Sequence, residues 1–199
     1  MTGRTELIGR ERELEELERR YAERHPLVAV SGRPRVGKSA LINEFVRGKD
    51  AIHYAASCTR SEDHLREFSA DVCRALGTPP ARYATWSDAI GAYVDGRPGR
   101  KVLVFDDVQN IVSEDRGFLR MLRSELEGRL SGGDVMVILC GSGLPFMRRI
   151  VRGADSPLHG MFPYELRLEP IRFGDTVRGN DYRRSVEEYA VTGGVPYYM

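Results

Sequence analysis

One stretch of the sequence combines two glycines, a lysine and a serine at a spacing suited to holding a polyphosphate. It follows a short apolar run and matches the pattern GxxxxGK[ST], formed here by Gly32, Arg33, Pro34, Arg35, Val36, Gly37, Lys38 and Ser39, with Ala40 next in the chain. The glycines permit close backbone approach and unusual dihedral angles, and the amides at a helix start point towards an anion. Lys38 would neutralise the β and γ phosphates, and the Ser39 hydroxyl would bind Mg²⁺. The alternative is an ordinary glycine-rich turn with an exposed lysine.

A second candidate site is the carboxylate pair Asp106 and Asp107, which directly follows the apolar residues 102–105. Ligands of an open parallel sheet lie at the carboxyl ends of its strands, so we expect this pair to share one crevice with the phosphate loop. We predict that Asp106 serves Mg²⁺, through water, and that Asp107 orients or deprotonates an attacking water. The alternative is an aspartate-rich turn without a chemical role.

Strands and helices alternate along the chain, as the apolar pattern predicts. Strands are predicted at residues 27–30, 51–57, 102–105, 135–140 and 164–168. Helices are predicted at residues 11–24, from Lys38 to Gly48, from an N-cap at Ser61 to Gly77, and at 86–94, 118–130, 144–151 and 181–190. This alternation predicts an α/β fold with a parallel sheet.

The composition limits the class of protein. A chain of 199 residues with 41% hydrophobic and 30% charged residues is typical of one globular domain. Its net charge of +1 gives no single-sign field that would favour nucleic acid or a membrane surface. There is no apolar run of the ~18–20 residues that a membrane helix needs, nor an apolar leader, so we expect a cytoplasmic protein. Cys58, Cys73 and Cys140 are expected to be buried apolar residues rather than disulfide or zinc ligands.

Together these motifs resemble the AAA+ P-loop ATPases of the STAND type, and more narrowly the prokaryotic archaeal ATPase family. The resemblance covers nearly the whole chain. It implies a P-loop NTPase three-layer sandwich with a five-stranded parallel sheet of the AAA+ type, followed by the start of a helical lid. It also implies an adenine-contacting motif and helix at residues 1–24, an ATPase core at 25–170 and a truncated lid at 171–199.

In three further segments, the resemblance assigns a role to individual residues. Ile8, Gly9 and Arg10 look like the family's hhGRExE motif, which contacts the adenine region; alone they are only the start of an amphipathic helix. Ser142 resembles a sensor of the γ-phosphate and joins Lys38 and Asp107 as a catalytic candidate, although a Gly/Ser turn is also common without one. Pro196 resembles the proline of the GxP signature, which packs on the nucleotide from the lid; an interhelical turn is the alternative.

The sequence also departs from the family pattern at two positions. Asp107 is one methylene shorter than the commoner glutamate, which predicts slow hydrolysis. Met161 stands where a basic residue is usual, so any arginine finger must come from elsewhere, with Arg148, Arg149 and Arg152 the nearest candidates.

The resemblance implies a protein that binds ATP or ADP with Mg²⁺ and hydrolyses ATP slowly, as a nucleotide-driven conformational switch. The first alternative is a signalling switch with negligible hydrolysis, and the second is a small-molecule kinase or GTPase, for which neither an acceptor site nor an NKxD motif is found. The expected ligand is an adenine nucleotide, with a protein partner or self-association in addition. The sequence gives no direct evidence for nucleic acid or a membrane.

Overall fold

The structure is a computed structural model that describes residues 9–24, 26–132, 134–177 and 182–196. Its strands are β1 (Leu27–Gly32), β2 (Asp50–Ala55), β3 (Lys101–Asp106), β4 (Val135–Gly141) and β5 (Tyr164–Leu168). Its α-helices are α1 (Glu11–Tyr21), α2 (Lys38–Val46), α3 (Ser61–Leu76), α4 (Trp86–Gly96), α5 (Val108–Glu114), α6 (Phe118–Glu127), α7 (Leu144–Arg152), α8 (Phe173–Thr176) and α9 (Tyr182–Thr192).

In the part of the chain that the structure describes, five strands form a parallel sheet in the order β2-β3-β4-β1-β5. Every residue of β3 and β4 is buried, because helices cover both faces of the sheet there. Parallel strands end at the same edge. The phosphate loop, which starts at the end of β1, and the acidic pair at the end of β3 therefore lie along one edge of the sheet, as predicted.

The core lies in two layers, one on each side of the sheet. On one side α1 and α2 pack Leu17, Leu41 and Phe45 against alternate side chains of the strands. On the other side α3, α4 and α6 bring aromatic rings together, with the ring centroids of Trp86 and Phe118 5.0 Å apart. The predicted three-layer α/β sandwich with a five-stranded parallel sheet is thus confirmed.

Several local predictions are wrong. The N-cap of α3 is Arg60, and Ser61 is the first helical residue. The helix predicted at 118–130 ends at Glu127, where Gly128 leads into a 3₁₀ turn over Arg129–Gly132. The short helix α5 was not predicted, because seven residues give too little periodicity. Cys58 is exposed, whereas Cys73 and Cys140 are buried.

Other predicted boundaries fall close to the observed ones. Helix α1 ends at Tyr21, three residues before its predicted end, and α9 extends two residues beyond its predicted end. Asp181, the predicted first residue of α9, lies outside the described residues. Within the described ranges, the helices are too short or too polar to cross a membrane.

Candidate functional site

The phosphate loop leaves β1 and turns sharply into α2. Gly32 is so closely packed that a methyl group on it would lie 2.7 Å from the carbonyl oxygen of Leu168. Gly37 precedes α2 in the left-handed conformation, with φ 95°. Arg35 also has a positive φ, 65°, although it is not a glycine. Close packing thus explains Gly32 and backbone conformation explains Gly37, while the strain at Arg35 was not predicted from the sequence.

The start of α2 is suited to an anion. Its first turn has no capping side chain among the described residues, so the amide groups of that turn remain for a ligand. Lys38 is only 5% exposed, and its Nζ donates to the backbone oxygens of Arg33, at 3.0 Å, and Gly32, at 3.4 Å. The ammonium group is therefore held against the loop. The positive end of the helix and the lysine charge act on the same place.

The remaining predicted loop residues differ in exposure. Arg33, Pro34, Arg35, Ser39 and Ala40 are exposed, and Val36 is fully buried. Arg33, Pro34 and Arg35 are the exposed part of the loop and Ser39 and Ala40 belong to the first turn of α2, whereas Val36 packs in the core.

Ser39 and Asp106 meet at the edge of the sheet. The Ser39 hydroxyl donates to Oδ2 of Asp106 at 2.6 Å, and Oδ1 of Asp106 accepts the amide of Asp107 at 2.9 Å. Hydroxyl and carboxylate oxygens are the protein ligands that Mg²⁺ takes beside nucleotide phosphates. No cluster of three or more His, Cys, Asp or Glu side chains in the described ranges offers a self-sufficient metal site. The pair therefore fits a magnesium ion shared with a bound nucleotide.

Asp106 is ionised in spite of its burial. Burial by itself opposes ionisation, but hydrogen bonds from His53, Cys140 and Ser39 outweigh it and hold the pKa of Asp106 well below its usual range. Burial, together with the charge of Asp106, raises the pKa of the Cys140 thiol well above its usual value. Cys140 consequently stays protonated and acts as a donor. His53 and Cys140 were not predicted as site residues, since only the pairing of strands brings them to Asp106.

Asp107 lies just outside the buried carboxylate, in the left-handed conformation with φ 49°. Its Oδ1 accepts the hydroxyl of Ser142 at 3.0 Å and the side-chain amide of Gln109 at 2.9 Å. The backbone amide of Ser142 donates to Oε1 of Gln109 at 3.4 Å. The structure therefore brings the predicted residues Asp107 and Ser142 together. It adds Gln109, which the sequence did not reveal because it belongs to the unpredicted helix α5.

Arg10 supports the phosphate loop through hydrogen bonds to the backbone. It is 4% exposed, and Nη2 donates to the backbone oxygens of Val36, at 2.9 Å, and Glu169, at 2.5 Å. Its Nη1 pairs with Glu13 at 2.7 Å. Gly9 and Arg10 border a cavity of about 320 Å³ that Ile171 also lines. Ile8, predicted together with them, lies outside the described residues.

Ile171 connects this N-terminal motif with the turn that precedes Pro196. A methyl group on Gly9 would lie 2.7 Å from Ile171 Cγ2, and one on Gly194 would lie 2.1 Å from the Ile171 carbonyl oxygen. The Ile171 amide donates to the backbone oxygen of Gly194 at 2.7 Å. This turn brings Pro196 to the phosphate loop, since a methyl group on Gly37 would lie 3.5 Å from Pro196 Cγ.

The arginines considered as fingers lie on or beside α7. Arg152 pairs with Glu165, and the guanidinium of Arg149 is 5.7 Å from the ring centroid of Phe146. Arg148 is exposed. All three border a groove of about 900 Å³ between α7 and the face that β1 and β5 present to it.

The parallel sheet, the glycine-rich loop entering α2 and the acidic end of β3 define the P-loop NTPase fold. The AAA domain family matches residues 20–150, well over half of the chain. This chain belongs to that family, and its fold is that of an AAA+-type P-loop ATPase.

Several individual proteins are similar to this chain. Protein MJECL04 of Methanocaldococcus jannaschii is 24% identical in an alignment of 198 positions that covers 96% of this chain and 43% of that protein. The Walker-type ATPase PABY2304 of Pyrococcus abyssi superposes with a TM-score of 0.74 and 17% identity, over 98% of this chain and 66% of that one. The Orc1 protein of Aeropyrum pernix, in complex with DNA, gives a TM-score of 0.61 and 17% identity, over 93% and 50%.

A third structure, Cdc6p of Pyrobaculum aerophilum, gives a TM-score of 0.56 and 19% identity, over 84% of this chain and 47% of that one. At such low identity these structures establish the fold alone. The chain spans 43% of its curated relative and between 47% and 66% of the solved chains.

Proposed function

We propose that this protein binds ATP with Mg²⁺ and hydrolyses it slowly to ADP and phosphate, as a nucleotide-driven conformational switch. One observation carries the proposal. At the uncapped start of α2, the buried Lys38 lies against the phosphate loop, and the Ser39 hydroxyl is 2.6 Å from the ionised carboxylate of Asp106. A cation, free amides and hard oxygen ligands are the groups that a magnesium triphosphate needs.

The loop would hold the phosphates through its backbone. The amides of residues 32–40 would surround the β and γ phosphates, and Lys38 would neutralise them. The adenine base would lie against Ile8, Gly9 and Arg10, where the 320 Å³ cavity supports this placement for the last two. Pro196 would close on the nucleotide from the lid, which its position beside Gly37 supports.

Ser39 and Asp106 would hold Mg²⁺, Asp106 through water. The ion, when bound, supplies charge neutralisation for the phosphate oxygens. Asp106 is held ready for this role because its ionised carboxylate is hydrogen-bonded at both oxygens.

Hydrolysis would depend on Asp107. A water oxygen bonds to the γ-phosphorus while the bond from that phosphorus to the oxygen of ADP breaks, and the proton of the water passes to the Asp107 carboxylate. Ser142 and Gln109 would fix this carboxylate through Oδ1, so that Oδ2 remains for the water. The short side chain of Asp107 gives it less reach than a glutamate, which is the reason for expecting a slow reaction.

The same hydrogen bonds favour a second candidate function, a nucleotide-held signalling switch with negligible turnover. In that case the two donors on Oδ1 would hold the short Asp107 side chain back, so that its remaining oxygen does not reach the water. The lid would close on nucleotide and expose a partner surface when it opens. A protein partner or self-association, and the cytoplasmic location, stay predictions.

The decisive experiment measures nucleotide binding by calorimetry and single-turnover hydrolysis of ATP. We expect Lys38→Ala to weaken Mg·ATP binding by about 100-fold, and Asp107→Asn to keep affinity within about threefold while slowing hydrolysis about 100-fold. Asp95→Asn, an exposed carboxylate at the end of α4, is the matched control.

Each alternative result has a meaning. No binding heat in the unmodified protein would overturn the proposal as a whole. Unchanged hydrolysis in Asp107→Asn would remove the assignment of the base. Co-purified ADP with intact binding and no measurable turnover would establish the second candidate.

A further inference from the structure

A histidine on β2 reaches the buried carboxylate at the end of β3. His53 lies opposite Val104 in the register of the two strands, and its Nε2 is 3.1 Å from Oδ2 of Asp106. Its Nδ1 is 2.8 Å from Oδ1 of Asn43 on α2. The ring is 12% exposed and spans the gap between helix and strand.

The chemistry of Asp106 fixes the direction of one hydrogen bond. An ionised carboxylate only accepts, so Nε2 of His53 must carry the hydrogen. In a neutral ring Nδ1 then accepts, and the Asn43 amide must turn its nitrogen towards it; in a ring with both hydrogens, Nδ1 donates to Asn43 Oδ1. The Ser39 hydroxyl donates to the same oxygen, and the Asp107 amide donates to the other. The carboxylate is thus held by donors from α2, β2 and the start of α5, besides the Cys140 thiol of β4. If it rotated, donors from at least two of these elements would lose their acceptor.

Asn43 ties this arrangement to the phosphate loop. It lies four residues after Ser39 on α2, so both side chains project from the same face of the helix that begins at Lys38. A histidine whose second ring nitrogen has a fixed partner keeps its ring orientation. Helix α2 therefore contacts Asp106 twice. Ser39 contacts it directly, and Asn43 contacts it through the ring of His53.

We propose that His53 is a positioning residue which, oriented by Asn43, fixes the Asp106 carboxylate in the orientation that serves Mg²⁺. This inference rests on the proposed function, because it concerns the metal of the same site. Neither side chain touches the loop amides or the Lys38 ammonium in the contacts of the described residues. Their loss should consequently weaken only the metal-dependent part of nucleotide affinity.

The first test measures ADP and ATPγS affinity by calorimetry, with Mg²⁺ and with chelator, and takes the ratio of the two affinities. We expect His53→Ala to lower this ratio about tenfold, as for loss of one hydrogen bond to a charged group, with the metal-free affinity within twofold. His53→Gln keeps a side-chain N–H donor and should restore the ratio to within threefold. His159→Gln, an exposed histidine on the loop after α7, is the control.

The second test measures whether the effects of His53 and Asn43 depend on each other. Asn43→Ala should lower the ratio less than His53→Ala, and the double variant should be no worse than His53→Ala, because Asn43 acts through the histidine. Additive effects would overturn the role of Asn43. A ratio within twofold of the unmodified protein in His53→Ala would overturn the positioning role, provided that thermal unfolding shows the variant folded.

The third arm needs neither nucleotide nor metal. Nitrogen-15 NMR of the His53 ring should show a hydrogen on Nε2, and Asp106→Asn should shift that signal. An unprotonated Nε2 would overturn the inference while leaving the proposed function intact. If instead the unmodified protein bound nucleotide without any effect of Mg²⁺, the proposed metal site would fall, and the metal role of His53 with it.

Discussion

The Ser142 hydroxyl lies 3.0 Å from Oδ1 of Asp107 and so joins the ends of β4 and β3. Gln109 closes the arrangement, since it donates to the same carboxylate oxygen at 2.9 Å and accepts the Ser142 amide at 3.4 Å. The three residues form a ring of hydrogen bonds at the acidic edge of the sheet. The orientation of Asp107 thus depends on two residues from different elements.

We therefore expect Ser142→Ala and Gln109→Ala each to slow single-turnover ATP hydrolysis by about 10-fold, as for loss of one hydrogen bond to a charged group. Nucleotide affinity should change by less than about threefold, because the phosphate loop is untouched. The double variant should be little slower than either single one, since the two donors act on one carboxylate. Ser113→Ala, an exposed hydroxyl on α5, is the control. Strictly multiplicative losses would contradict a shared role.

The turn that carries Pro196 gives a second prediction. A methyl group on Gly194 would lie 2.1 Å from the Ile171 carbonyl oxygen, whereas one on Gly193 meets nothing within 4 Å. Both glycines have a positive φ, 71° and 58°, so alanine is strained at either position. Gly194→Ala should therefore separate this turn from Ile171 and weaken ATP binding about tenfold in a calorimetric titration. Gly193→Ala introduces the same backbone strain but no clash. An equal loss of ATP affinity in that variant would show that the contact with Ile171 is not the cause.

Arg10 gives a third prediction. Its guanidinium donates to the backbone oxygens of Val36 and Glu169 and pairs with Glu13. Lysine keeps the charge but has no planar fork, so Arg10→Lys should lower the free energy of unfolding in urea by about 2 kcal/mol. Arg12→Lys, exposed on the same cavity wall, should change it by less than about 0.5 kcal/mol. Similar losses from both substitutions would show that the buried hydrogen bonds contribute little.

Tyr93 gives a prediction about alkaline stability. Burial, with Asp50 beside the hydroxyl, raises the pKa of Tyr93 well above its usual value. An unfolded tyrosine ionises near pH 10, so the stabilising contribution is complete below that pH and is lost as the pH rises above it. The free energy of unfolding should fall by about 1.4 kcal/mol per pH unit for this residue.

The measurement is urea unfolding between pH 8 and 11. Tyr93→Phe should show a shallower decline than the unmodified protein, although Tyr54, whose pKa burial also raises, keeps part of the slope. If the free energy of unfolding declined equally in the two proteins, Tyr93 would have the same pKa in the folded and the unfolded state.

The sequence alone determined much of this protein. The glycine-rich loop could be placed because its spacing is local and its neighbours along the chain are a buried strand and a helix. Strands β1, β3 and β4 were found because continuous apolar runs mark strands covered on both faces. The short helix α5 was not predicted, because its two buried residues, Val108 and Ile111, are too few to show a helical period.

The tertiary structure decided which residues act on each other. His53 reaches Asp106 only because β2 pairs with β3, and Ser142 reaches Asp107 only because β4 lies beside β3. Arg10 supports the phosphate loop through a carbonyl oxygen that any residue at position 36 would provide. Apolar periodicity says that a strand is buried but not which strand is its neighbour, since the backbone hydrogen bonds that join parallel strands are the same for every pair.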